Sequence, residues 1–141
     1  MEQPRNKEKI LSAGTLLFVA CWAAYCASYL GRINYTAALT AIVADGVFSK
    51  SHAGFIGTVY FFCYGAGQIF SGILGDRVSP YKMIGAGLAG TVCANIIMPL
   101  CSSSYITMSI IWGLNGIVQS MLWTPVLYII ATVLPEEQRS R

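Results

Sequence analysis

Residues Tyr29–Leu39 read YLGRINYTAAL and set an arginine, Arg32, in an otherwise largely apolar segment. Tyr25, Tyr29, Arg32 and Thr36 follow one another at spacings of four, three and four, which puts them on one face of an α-helix. These residue types suit one chemistry. A guanidinium presents a planar fork of N–H donors that meets phosphate or carboxylate in two prongs, and phenol hydroxyls beside it add single donors. Because it stays protonated, it binds anions and offers no route for proton relay.

Two further stretches repeat the pattern. Tyr60, Tyr64, Gln68 and Ser71 share a helical face, as do Trp112, Asn115, Gln119 and Trp123. A single such stripe is explained by hydrogen bonds between membrane helices, at about 1 kcal/mol each. Three stripes together, one bearing an unpaired cation, point to a shared aqueous path. The residues expected to face a small anionic substrate are Arg32, Tyr25, Tyr29, Tyr64, Gln68, Gln119 and Trp123.

The elements that position them are membrane helices. The chain has 141 residues, 55% hydrophobic and 11% charged, against roughly 25% charged in a soluble domain. Four apolar stretches, near 11–43, 53–75, 83–100 and 105–134, are each of the order of the 20 residues that a bilayer crossing needs. The expected fold is an all-α membrane protein of four transmembrane helices in a lipid bilayer. The connections 44–52, 76–82 and 101–104 are short, so neighbouring helices run antiparallel in one bundle.

The first stretch would extend about 50 Å as a helix, against a hydrocarbon core of about 30 Å. It must tilt, project or break, and Gly31 is the candidate break. If the bilayer covers residues 11–30, Arg32 snorkels at the outer edge; if it covers 21–41, Arg32 sits near the midplane. A polar stripe running to both sides of Arg32 favours the second placement. The third stretch carries Gly85, Gly87, Ala89 and Gly90, a surface for close packing. With Asn95 as its one strongly polar interior residue, it reads as support.

Charge sets the orientation. Arg5, Lys7 and Lys9 precede the first span, Arg77 and Lys82 lie between the second and third, and Arg139 and Arg141 follow the fourth. The other side holds only Lys50, so both ends of the segment are expected in the cytoplasm, with 44–52 outside. The net charge of +3 is thereby topological and implies no nucleic-acid partner. A cleaved signal peptide competes as a reading of the N-terminus through the AYCAS sequence, but the apolar run continues past it and three more spans follow. The five cysteines lie in or at the ends of spans, without metal-ligand spacing, and read as packing residues. His52 stands alone in a loop and is expected to be solvated. There is no nucleophile–base pair, phosphate loop or metal cluster, so neither catalysis nor a cofactor is expected.

The stretch Gly72–Lys82, GILGDRVSPYK, resembles the signature of the major facilitator superfamily. It has a glycine, Asp-Arg four residues on, and a further basic residue after a turn. Gly72, Asp76, Arg77 and Lys82 fill these places between spans two and three, and the resemblance implies a gating role for them. Ser79-Pro80 departs from it, where many members have glycine. YCASYLGRINY, CYGAGQIFSGILGDR and GIVQSMLWTP resemble helices 1, 2 and 4 of the organophosphate:phosphate antiporters. That resemblance carries over Tyr25, Tyr29, Gln119 and Trp123, and Arg32 as the phosphate-contacting arginine. It also exposes a departure: Gln68 stands where those transporters have lysine, which makes a singly charged organic anion a competitor to a phosphate ester.

A family member has twelve helices in two six-helix halves, each built from inverted triplets. By that resemblance the chain holds one triplet and the first helix of the next. It is expected to be the N-terminal part of a bacterial plasma-membrane transporter working by alternating access, lacking a C-terminal half and the second arginine there. The competing class is a non-transporting sensor, regulatory or assembly protein of the same fold. A four-helix proton-coupled exporter would want an intramembrane carboxylate, and Asp45 and Asp76 lie at span ends.

Overall fold

Lipid offers no hydrogen bonds to a bare backbone, so each apolar stretch must satisfy its own N–H and C=O groups as a helix. A computed structural model describes the backbone of residues 4–133 and the side chains of residues 14–132. It contains α1 (Pro4–Ala44), α2 (Lys50–Gly75), α3 (Pro80–Leu100) and α4 (Tyr105–Val133). All four are long and apolar enough to cross a membrane. Leu134, Arg139 and Arg141 lie outside the described residues, as do the side chains of Arg5, Lys7 and Lys9.

The turns are chemically defined. Helix α1 ends where Gly46 takes φ 70°, a left-handed conformation that glycine adopts without strain. Its N–H reaches the Val43 carbonyl and that of Val47 reaches Ile42. Helix α2 then begins at Lys50, because the Ser49 hydroxyl accepts from the His52 N–H at 3.2 Å. Helix α3 opens on Pro80, whose missing N–H costs nothing in a first turn. His52 is exposed, as expected, but it lies in the first turn of α2 and its ring is stacked on Tyr105, with centroids 4.0 Å apart, so it is not alone.

Helices α2 and α4 are the tightest pair, and small residues make this possible. A Cβ added at Gly116 would meet the Tyr60 carbonyl oxygen at 2.5 Å, and one at Gly67 would meet Ser120 Oγ at 2.5 Å. A third added at Gly113 would meet Cys63 Sγ at 3.1 Å. Helix α3 closes on α4 in the same way, through Gly87 against Leu122 and Gly90 against Val118. Gly85 has open space around it and takes no part in that contact.

Helix α1 runs unbroken through Gly31, contrary to the expected break. A break there would expose backbone groups that lipid cannot bond, so the excess length is left to tilt or projection. Gly31 is instead a contact point. A Cβ on it would overlap Thr91 Cγ2, and its carbonyl oxygen accepts from Asn95 Nδ2 at 3.0 Å and Asn115 Nδ2 at 3.4 Å. Asn95 also bonds the Asn34 side chain and the Thr91 carbonyl, which ties α1 to α3. Large apolar side chains such as Phe62, Ile69, Phe70 and Leu100 point outward, as lipid contact requires.

Candidate anion-binding site

Arg32 leaves α1 towards α2. Its guanidinium carbon lies 5.2 Å from the ring centres of Phe61 and Tyr64, 5.5 Å from Tyr60 and 5.6 Å from Tyr29. Helix periodicity explains the grouping: Tyr60, Phe61 and Tyr64 span little more than one turn of α2, and Tyr29 precedes Arg32 by three residues on α1. Each ring face within about 6 Å contributes roughly 0.5–2 kcal/mol. Together they are of the same size as the roughly 2.5–3.5 kcal/mol that a charge costs at the middle of an inserted helix. The cation is thus accommodated without a carboxylate.

The rings of Tyr29, Tyr60, Phe61 and Tyr64 all lie within 6 Å of the Arg32 guanidinium carbon. Among the described residues Arg32 has neither a hydrogen bond nor an ion pair. Its N–H donors are therefore unspent, and Arg32 lines a cleft between α1 and α2, which leaves the guanidinium able to meet an oxyanion.

The other expected site residues take different places. Tyr25, Tyr29 and Trp123 form an aromatic cluster, with Tyr25 5.2 Å from each of the other two and its hydroxyl 3.5 Å from that of Tyr29. Tyr29 and Tyr64 reach Arg32 directly. Gln119 is spent inside the bundle: its Oε1 accepts from the Tyr60 hydroxyl at 2.7 Å and its Nε2 donates to the Ser28 carbonyl at 3.1 Å. It meets Arg32 only through Tyr60. Gln68 is half-buried one turn beyond Tyr64 and has no hydrogen bond among the described residues.

Two residues were not in the expected set. Tyr60 lay in the α2 stripe, but Phe61 carried no signal, because an apolar ring does not belong to a polar face. Asn115 is fully buried and bonds α1, so the α4 stripe faces the helix contacts over most of its length. The motif between α2 and α3 forms a turn in which the Arg77 and Val78 N–H groups donate to the Leu74 carbonyl. Asp76, Arg77 and Lys82 are all exposed there. Gly72 has nothing within 4 Å of an added Cβ.

Four helices long and apolar enough to cross a membrane, with Arg32 unpaired among the described residues, define a multi-pass integral membrane protein. Residues 21–141 match the Major Facilitator Superfamily, and the chain belongs to that family. It is 33% identical over 109 residues to the probable hexose phosphate transport protein of Chlamydia pneumoniae, covering 77% of this chain and 24% of that protein. It is 32% identical over 103 residues to the membrane sensor protein UhpC of Escherichia coli K12, covering 73% and 23%. The glycerol-3-phosphate transporter of Bacillus subtilis is 30% identical over 112 residues, covering 77% and 25%. The chain spans about a quarter of the length of these relatives. Within the superfamily it is thus similar to the organophosphate:phosphate antiporters. No solved structure matches it.

Proposed function

We propose that these residues form the N-terminal part of a secondary transporter that moves a small organic anion, a phosphate ester or a carboxylate, across a bacterial plasma membrane. Transport proceeds by alternating access, with a second half closing the cavity on which Arg32 opens. Arg32 anchors the anionic group. Tyr25, Tyr29, Tyr64, Gln68 and Trp123 surround the path, and Gln119 braces it through Tyr60. The single observation that carries this reading is the Arg32 guanidinium, held by four rings with its donors unspent.

The names of the relatives support an organophosphate substrate. Gln68 supports a lower charge on that substrate, because an amide contributes hydrogen bonds but no cation to offset a dianion. The test is uptake by the protein expressed from its complete reading frame and reconstituted in proteoliposomes. Labelled glycerol 3-phosphate, a hexose phosphate and a small carboxylate serve as solutes. The reading predicts saturable uptake of at least one, abolished in Arg32→Gln. Binding without uptake favours the sensor class, to which the name of the Escherichia coli relative belongs.

A further inference from the structure

A cleft of about 310 Å³ lies between α1 and α2 and includes Arg32 in its wall. Thr36 and Leu39 of α1 face Gly54, Gly57 and Phe61 of α2 across it. Gly54 and Gly57 have no atom within 4 Å of an added Cβ, unlike Gly67, Gly113 and Gly116, which are needed for contact with α4. Among the described residues, no helix contact accounts for these two glycines. Their missing side chains open the cleft beside the guanidinium.

The polar groups around this cleft are mostly committed. The Tyr35 hydroxyl donates to the Ala53 carbonyl and that of Tyr60 to Gln119, each at 2.7 Å, and Thr58 donates to the Gly54 carbonyl at 3.1 Å. Among the described residues the donors left are the guanidinium, the Thr36 hydroxyl and the Trp112 indole N–H. The cleft thus sets one cation beside a largely apolar wall, within the volume range of small-ligand pockets.

We infer that this cleft takes the uncharged body of the anion held by Arg32, and that it selects a short body with few hydroxyls over a sugar. The inference rests on the proposed role of Arg32 as anion anchor. Beyond the guanidinium that holds the anion, the wall offers the several hydroxyls of a sugar only the Thr36 hydroxyl and the Trp112 N–H among the described side chains, so most of them leave water unpaired, whereas an alkyl chain gains by leaving water. Gly57 limits the size of the body. A phosphate with an apolar body can come from a soluble ester or from an anionic lipid, so the test separates the two.

The complete protein in nanodiscs is titrated with butyl phosphate, glucose 6-phosphate and inorganic phosphate. Butyl phosphate is expected to bind at least tenfold more tightly than glucose 6-phosphate. Gly57→Leu should lower the ratio of butyl phosphate to inorganic phosphate affinity about tenfold. Gly54→Leu should act in the same direction, and Gly85→Leu, equally open but on α3, should leave the ratio in place. Tighter binding of glucose 6-phosphate, or a ratio unmoved by both α2 variants, overturns the inference. If phosphatidylglycerol in the nanodisc displaces butyl phosphate from the wild type and not from Gly57→Leu, the occupant is lipid and the inference is also overturned. Arg32→Gln should lose inorganic and butyl phosphate alike. Retention of both by that variant refutes the anchor reading itself, independently of the cleft's selectivity.

Discussion

The Tyr60 hydroxyl donates to Gln119 Oε1 at 2.7 Å, beneath the ring face that Tyr60 turns to Arg32. Gln119 passes the link to the Ser28 carbonyl, so one buried chain joins α2, α4 and α1. A side chain expected to face substrate is therefore occupied in holding the helices that carry the site. Tyr60→Phe strips the donor from a buried amide oxygen, a loss of about 1–3 kcal/mol. Thermal unfolding in detergent should show a clear drop in melting temperature. An unchanged melting temperature would mean that the link contributes nothing to the bundle.

Gly31 sits where α1 touches α3, and an added methyl group overlaps Thr91 Cγ2. Gly31→Ala should therefore lose about 1–3 kcal/mol through overpacking. Gly85→Ala, in open space, should instead gain from the better helix propensity of alanine, by up to about 1 kcal/mol. Opposite shifts in unfolding temperature are expected. Equal shifts would show that the contact at Gly31 carries no strain.

The four helices were legible because hydropathy reports burial in lipid, and Arg32 stood out against it. Their ends were less so. Helices α2 and α3 start three residues before the apolar runs at 53 and 83, because Ser49 and Pro80 are start signals that hydropathy does not weigh. The aromatic grip on Arg32 was half legible, through Tyr29 and Tyr64. Phe61 joins them only because of the way α1 crosses α2, and no stripe on one helix encodes a crossing. The same limit applies to Asn115 and Gln119: polar residues on a stripe serve a cavity or a neighbouring helix, and only the packing decides between them.

Asp76 lies exposed at the turn after α2, with Arg77 and Lys82 close in sequence and away from the Arg32 cluster. Asp76→Asn in the complete protein should slow uptake while leaving equilibrium affinity for the substrate nearly intact. Rapid-uptake kinetics paired with equilibrium binding distinguish the effects. A large loss of affinity at normal turnover would remove Asp76 from the gate and put it in the site.

Seven of the eight Lys and Arg outside the spans fall on one side of the proposed membrane, and only Lys50 falls on the other. In a variant stripped of its native cysteines, Ser49→Cys should react with an impermeant maleimide from outside intact cells. Ser79→Cys should react only after permeabilisation. External labelling of position 79 would invert the orientation.

The account rests on Arg32 as the anion anchor, and Arg32→Lys tests it most directly. Lysine keeps the charge but loses the planar two-pronged fork. A charge-assisted hydrogen bond contributes about 1.5–3 kcal/mol, so affinity of the complete protein for its anion should fall roughly tenfold to a hundredfold by equilibrium binding. Lysine snorkels to a membrane surface as well as arginine does. An Arg32→Lys protein that binds its anion as tightly as the wild type would therefore contradict the account and return Arg32 to the edge of the bilayer.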